Sequence, residues 1–145
     1  MQLDRHYTGN IDTFHRGLVW YAMARRKKNR RSKSEAKKIL KQVAKWANAG
    51  NPNVRHYHLM LRAEQAALER KSTIAEELYR EAIVNAARTG HLHHAALFNE
   101  RFSEYYHERG DGHDAKYYLG EAVRYYNEWG AVGKAEELQE DLSRM

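Results

Sequence analysis

Three glycines lie at a constant spacing along this chain, and each closes a segment with the composition of a helix. Gly50, Gly90 and Gly130 are 40 residues apart and follow the segments KWANA, NAART and YYNEW. A glycine directly after a helix readily takes the left-handed conformation that ends it. Repetition at a fixed period of about 20–50 residues is typical of stacked supersecondary units. The glycines therefore predict three copies of one helical unit.

Apolar and small residues repeat with the same period, and within each copy they lie three or four positions apart. Ile39, Tyr79 and Leu119 correspond to one another in this way. This spacing places them on one face of a helix. The chain also contains a single proline, and proline is the residue that most strongly disrupts a helix interior. The predicted helices are 11–29, 33–48, 53–69, 72–88, 92–109, 112–128 and 131–143.

The short links between these segments favour antiparallel helix pairs. The repeats then run approximately over residues 11–50, 51–90 and 91–130, and helix 131–143 caps the end of the stack. A length of 145 residues suits one domain. We therefore expect an all-α helical-hairpin solenoid that occupies residues 1–145 as a single domain.

The small residues point to a narrower class. Ala63 and Ala75 are 12 residues apart, and so are Ser103 and Ala115. This offset resembles that of tetratricopeptide (TPR) repeats, in which small residues lie where the two helices of a pair touch. The period is 40 residues rather than about 34, and no proline closes a repeat. The resemblance therefore implies TPR-like pairs with longer helices.

Several phrases resemble the helical-repeat region of large multidomain sensor proteins. These phrases are GNPN, ALFNE, YYHERG, AKYYL and YYNEWGA, within residues 14–142. In that family an AAA-type ATPase domain precedes the repeats, and GAF and histidine-kinase domains follow them. The catalytic domains have no counterpart here, so the resemblance implies a scaffold in signalling without catalytic residues. It also implies that Trp129 packs at the last helix turn, which Gly130 ends.

The segment GAVGK, which begins at Gly130, looks like the centre of a phosphate-binding loop. Such a loop needs four residues between its glycines and a Ser or Thr after its lysine, and it follows a strand. Here two residues separate Gly130 from Gly133, and Ala135 follows Lys134. We therefore interpret the segment as a turn between helices and expect no nucleotide cofactor.

A histidine cluster, HLHH, raises the possibility of a metal site. His91 and His94 could meet on one helix face, but the chain contains no cysteine. A closed zinc site needs four ligands, and the sequence supplies no obvious fourth one. No paired catalytic residues stand out either, since the carboxylates follow helix surfaces near basic residues. We expect neither a metal nor an enzyme activity.

The positive charge is concentrated near the N-terminus. Residues 1–50 contain 13 Lys/Arg and 3 Asp/Glu, whereas residues 51–145 contain 12 and 16. A clustered basic run can bind phosphate backbone or another anionic partner, or it can be a solvated loop. The basic patch predicted here comprises Arg25, Arg26, Lys27, Lys28, Arg30, Arg31, Lys33, Lys37, Lys41 and Lys45.

The main hypothesis is a non-catalytic scaffold that mediates protein–protein interaction, and the alternative is a basic adaptor on a nucleic-acid or ribonucleoprotein surface. In TPR-like repeats the first helix of each pair lines the concave face, which would bind a peptide or helix. No apolar run approaches the roughly 20 residues of a membrane span, so we expect a cytoplasmic protein. By the register of the resemblance, the concave face comprises Trp20, Ala24, Tyr57, Met60, Glu64, Leu97, Glu100, Glu104 and His107.

Overall fold

Seven α-helices make up most of the described chain, which contains no strand. The structure, a computed structural model, describes the backbone of residues 2–145 and the side chains of residues 9–145. The prediction of an all-α fold is confirmed. The helices are α1 (Gln2–Lys27), α2 (Arg30–Asn48), α3 (Arg55–Leu68), α4 (Ser72–Arg88), α5 (Leu92–Glu108), α6 (Gly112–Trp129) and α7 (Val132–Ser143), and a 3-10 turn (Pro52–Val54) precedes α3.

The first two helices begin earlier than predicted. Helix α1 begins at Gln2 rather than at residue 11, because no proline interrupts this stretch and one glycine within a helix costs only about 1 kcal/mol. Helix α2 begins at Arg30 rather than at residue 33. Its start is fixed by Asn29, whose side chain accepts a hydrogen bond of 2.8 Å from the backbone N–H of Ser32.

The periodic glycines end helices as predicted. Gly50, Gly90 and Gly130 have φ angles of 87°, 79° and 97°, a conformation that costs little without a Cβ. Gly110 does the same between α5 and α6, while Arg70 takes a φ of 60° between α3 and α4. Arg70 and Gly110 are themselves 40 residues apart. The turns within pairs therefore repeat with the same spacing as the turns between pairs.

The chain divides into two compact units, Met1–Leu78 and Tyr79–Met145, with the boundary inside α4. In the first unit, α1, α2 and α3 pack against one another. Phe14 of α1 stacks on Tyr57 of α3 with ring centroids 4.4 Å apart. Gly17 of α1 lets α2 approach closely, because a Cβ at position 17 would lie 2.9 Å from Cγ2 of Ile39 in α2.

The second unit is built around α5, which packs against α6, and α6 in turn packs against α7. Tyr79 stacks on Phe102 at 4.7 Å, and Tyr118 packs on the same ring at 4.3 Å. A separate apolar cluster joins α6 to α7 and includes Leu119, Val123 and Leu138. The expectations of one domain and three repeats stay predictions.

The small residues singled out from the sequence are buried. Ser103 donates a hydrogen bond from its Oγ to the carbonyl oxygen of Ala115 at 2.6 Å. Such a contact brings α5 close to α6, since a larger side chain at either position would separate the helices. Ala63, Ala75 and Ala115 of this set are fully buried, and so are Ala82 and Ala122.

Candidate anion-binding surface

Exposed cations cover the end of α1, the link after it and one side of α2. We call this set the basic hairpin surface. The chain turns between the helices where Lys28 takes a φ of 52°, and the Asn29 cap then starts α2 at once. The turn therefore brings the basic end of α1 beside the basic start of α2. The surface comprises Arg26, Lys27, Lys28, Arg30, Arg31, Lys33, Lys37, Lys41 and Lys45, all of them exposed.

These nine cations form no ion pair with any side chain described in the structure. The carboxylate of α2, Glu35, pairs with Lys38 at 3.4 Å. Lys38 thus stands apart from the nine, and Glu35 is the acidic residue within α2. Like charges crowded on one face repel one another, so this surface has an excess of positive potential that an anion would relieve.

An aromatic ring lies beside one of these cations. The guanidinium carbon of Arg31 is 5.9 Å from the centroid of the Trp20 ring, within the range of a cation–π contact. Trp20 is half-buried, and its neighbour Val19 is exposed. The contact brings the Arg31 side chain against α1, at the edge of the basic hairpin surface.

Arg25 does not belong to this surface, contrary to the prediction. Only 12% of its side chain is exposed, and its Nη1 lies 3.5 Å from Oε2 of Glu64, whose side chain is 0% exposed. Arg25 follows Leu18 and Tyr21 at helical spacing, so it continues the apolar stripe of α1 that faces α3. Its charge therefore serves a buried ion pair rather than a surface patch.

Tyr21 lies in the same region of the first unit. Burial raises the pKa of the Tyr21 phenol, and the nearby carboxylates of Glu64 and Glu69 raise it further. The Tyr21 hydroxyl is buried and has no hydrogen-bond partner among the described atoms. A phenol in these surroundings stays protonated, so it cannot add a second negative charge beside Glu64.

Four of the nine residues assigned to the concave face lie in the core of the first unit. Ala24, Tyr57, Met60 and Glu64 are all buried. A ligand that docks on the surface of this structure does not reach them, so their assignment to a binding face is corrected. Tyr57 instead packs against α1, where Phe14 stacks on its ring. Trp20 is half-buried, beside the basic hairpin surface.

The other four concave-face residues lie along α5 in the second unit. Leu97, Glu100 and Glu104 are half-buried and His107 is exposed. Glu100 accepts a hydrogen bond of 3.0 Å from the Tyr126 hydroxyl. Burial raises the pKa of Tyr126, and the Glu100 carboxylate raises it further. These four residues follow one another at three- or four-residue spacing and thus form a single stripe on α5.

The GAVGK segment is a helix end followed by a helix start. Gly130 is the left-handed residue that closes α6, and Val132 begins α7. Lys134 lies 3.7 Å from the carboxylate of Glu100. The lysine therefore pairs with α5, and no strand precedes the segment in the part of the chain that is described.

The histidine cluster packs locally. His91 Nδ1 lies 2.7 Å from Thr89 Oγ1, and the His93 ring stacks on Trp129 at 4.9 Å. Trp129 is 54% exposed, so it packs on His93 at the surface and not in the core. No group of three or more His, Cys, Asp or Glu side chains among the residues described could hold a metal ion.

Sequence reasoning missed the Arg25–Glu64 pair, although a signal for each half was present. Glu64 follows Tyr57 and Met60 at intervals of three and four residues, on the stripe that these two apolar residues define. A charged residue on such a stripe indicates either a functional site or a buried partner. The partner lies in another helix, and a single sequence contains no pattern that pairs the two positions.

No protein-family model, no curated protein and no solved structure matches this sequence. Among the described helices, none combines the length and the apolar composition that crossing a bilayer requires.

Proposed function

We propose that this chain is a non-catalytic helical scaffold whose basic hairpin surface binds the phosphate backbone of a nucleic acid, free or within a ribonucleoprotein. The observation that carries the proposal is the set of nine exposed cations without an ionic partner among the described side chains. Phosphate contacts of this kind supply most of the affinity in sequence-independent nucleic-acid binding.

The spacing of the lysines suits a chain of phosphates. Lys33, Lys37, Lys41 and Lys45 recur every four residues along α2, so each is about 6 Å further along the helix than the last. Four positive charges in a row can neutralise several phosphates of one strand at the same time. Lysine ammonium groups act as point charges without base selectivity, so we expect binding that is largely indifferent to sequence.

The dependence of affinity on salt tests this proposal directly. If about six of the nine cations each neutralise a phosphate, log K for duplex DNA should fall against log salt with a slope of about −5. The measurement is a fluorescence-anisotropy titration of a labelled 20-base-pair duplex from 50 to about 300 mM salt, where the affinity should fall steeply. A duplex that fails to bind at the lowest salt, or binding with a flat salt dependence, would refute the proposal.

The α5 stripe supports a second candidate function, protein–protein interaction. Leu97, Glu100, Glu104 and His107 offer apolar, acidic and imidazole groups on one partly exposed side of a helix. A helix or peptide with apolar and basic residues would complement them. The TPR-like arrangement of the pairs, and the kinship with the repeat region of multidomain sensor proteins, belong to this proposal and would place the interaction in signalling.

Capture experiments from a cell lysate separate the two candidates. We expect partners of the wild-type chain to be released when the lysate is treated with nuclease, because nucleic acid would bridge them to the basic hairpin surface. Proteins that remain bound after nuclease, but are lost with Leu97→Asp, would support the α5 stripe instead. Ile74→Asp, which changes an exposed apolar residue of α4, is the matched control for that substitution.

A further inference from the structure

Two serines lie at the start of α2 within the sequence RRSKS, and the structure distinguishes them. Ser32 is 1% exposed, and its backbone N–H donates to the Asn29 cap. Ser34 is exposed and belongs to the side of α2 that carries the basic residues. Ser34 is therefore the hydroxyl of this pair that an enzyme in solution can reach.

All four helical neighbours of Ser34 are cations. Residues three and four positions away in a helix are adjacent on its surface. For Ser34 these are Arg30, Arg31, Lys37 and Lys38. Lys38 pairs with Glu35, whereas the other three belong to the basic hairpin surface. An anion attached to Ser34 would therefore lie among three cations that have no ionic partner in the described structure.

We propose that Ser34 is a phosphorylation site for an arginine-directed serine/threonine kinase, and that its phosphate switches off the basic hairpin surface. The regulatory half of this inference rests on the proposed nucleic-acid function. A phosphoserine carries a charge of about −1.5 to −2 at pH 7 and three strong acceptor oxygens. Paired with Arg30, Arg31 and Lys37, it would occupy the charges that would otherwise contact nucleic-acid phosphates.

The chemistry needs ATP and the kinase as co-reactants. The Ser34 hydroxyl oxygen attacks the γ-phosphorus of ATP, so an Oγ–P bond forms while the bond from that phosphorus to the bridging oxygen of ADP breaks. The hydroxyl proton passes to the aspartate base of the kinase. Kinases read the charge pattern around their target, and here Arg31 lies three residues before Ser34 and Lys33 directly before it.

The position of Ser34 in α2 makes it accessible to an enzyme that binds extended chain. Helix α2 begins directly after the link formed by Lys28 and Asn29, and Ser34 is its fifth residue. Helix ends open locally at a small cost in free energy. Opening this end detaches the Asn29 cap and exposes Ser32 as well, while Ile39 and Val43 stay in the core. In the opened chain the two serines still differ, because Arg31 lies three residues before Ser34 whereas Asn29 lies three residues before Ser32.

The first test is modification of the whole chain by such a kinase with ATP, with the site located by mass spectrometry. We expect one phosphate on Ser34 in the wild type, retention in Ser32→Ala and loss in Ser34→Ala. The Ser32→Ala chain is the matched control, since it removes the neighbouring hydroxyl from the same turn. A chain that accepts no phosphate on Ser34, or accepts it on Ser32 instead, overturns the inference.

The second test compares the phosphorylated and unmodified chains for binding of the same labelled duplex. Loss of one to two phosphate contacts should weaken binding by about 8- to 60-fold at 0.1 M salt and reduce the salt slope by about one to two. Unchanged affinity and slope, with Ser34 fully modified, would overturn the switch. Phosphorylation that strengthens binding would overturn it as well.

A third measurement keeps the inference separate from the proposed function. If the unmodified chain binds no duplex, the proposed function has failed, but the pairing of phosphoserine with its neighbours can still be measured. The phosphorylated chain should melt at a higher temperature in low salt, and Arg30→Gln, Arg31→Gln and Lys37→Gln together should abolish that increase. No increase on phosphorylation, or an increase that survives these three substitutions, contradicts the pairing.

Discussion

Replacing Glu64 with methionine should destabilise the chain strongly, although the two side chains are similar in length. The substitution removes the Glu64 carboxylate, whose Oε2 lies 3.5 Å from Nη1 of Arg25, and only 12% of the Arg25 side chain is exposed. Breaking a buried ion pair by removing one partner typically costs about 3–5 kcal/mol. For a chain of this size, that corresponds to a melting temperature lower by roughly 10 °C. Equilibrium denaturation and thermal melting measure the change.

The double variant Arg25→Met/Glu64→Met should recover most of this loss. Replacing both partners with apolar side chains removes the uncompensated charge, and such replacements are often neutral or stabilising. The cycle of the two single variants and the double variant isolates the coupling between the positions. Equal destabilisation by the double variant and by Glu64→Met would mean that the packing of these side chains, and not their charge, stabilises the unit.

An exposed glutamate provides the matched control. Glu69 pairs with Lys71 at 3.2 Å, and both side chains are well exposed, at 37% and 58%. Exposed ion pairs contribute about 0–1 kcal/mol, so Glu69→Met should leave the melting temperature almost unchanged. A large effect at Glu69 would show that glutamate-to-methionine changes are harmful anywhere in this unit, and the argument from burial would then fail.

The helix ends were predictable because they depend on single residues. Gly50, Gly90 and Gly130 take positive φ angles, and this conformation selects glycine wherever it occurs. Arg70 takes a positive φ angle in the turn between α3 and α4 although it is not a glycine. In the sequence that turn was therefore marked only by its position in the repeat. The start of α1 was harder to place, since residues 2–10 contain Gly9 and only two apolar residues, Leu3 and Tyr7, to mark a helix.

The faces of α1 and α3 were less predictable than their extents. Tyr57, Met60 and Glu64 share one stripe of α3, because helical spacing determines which residues share a face. The sequence does not say what that face meets. The register of the TPR resemblance assigned it to a ligand, whereas in the structure Phe14 and Arg25 of α1 lie against it.

The basic residues separate according to the same periodicity. Lys33, Lys37, Lys41 and Lys45 are exposed, as their spacing opposite the buried residues Ala36, Ile39 and Val43 indicates. Arg25 belongs to the same run of charges, but it also continues the apolar stripe of α1. For Arg25, its place in the run of charges indicated an exposed side chain, whereas its position on the apolar stripe of α1 indicated a buried one. The structure agrees with the position on the helix.

Neutralising four cations of the basic hairpin surface should reduce nucleic-acid affinity by about 4 × 10³-fold at 0.1 M salt, if each of the four neutralises one phosphate. The variant carries Gln at Arg30, Arg31, Lys37 and Lys41. All four side chains are exposed, and they form no ion pair with the described residues, so the helices and the melting temperature should change little. The salt slope should also become shallower by about 3.6. Anisotropy titrations and circular dichroism measure the two effects.

The prediction depends on where the four positive charges lie and not on the net charge of the chain. The control variant must therefore lose four positive charges elsewhere. Arg62, Arg70, Arg88 and Lys116 are exposed, lie outside α1 and α2, and form no ion pair within the described part of the chain. Their replacement with Gln lowers the net charge by the same amount, from +6 to +2. At 0.1 M salt the screening length is about 10 Å, so charges that do not contact the duplex should contribute little and the control should bind nearly as well as the wild type. Equal losses in the two variants would instead mean that the duplex responds to total charge, and the hairpin would then be an ordinary solvated turn.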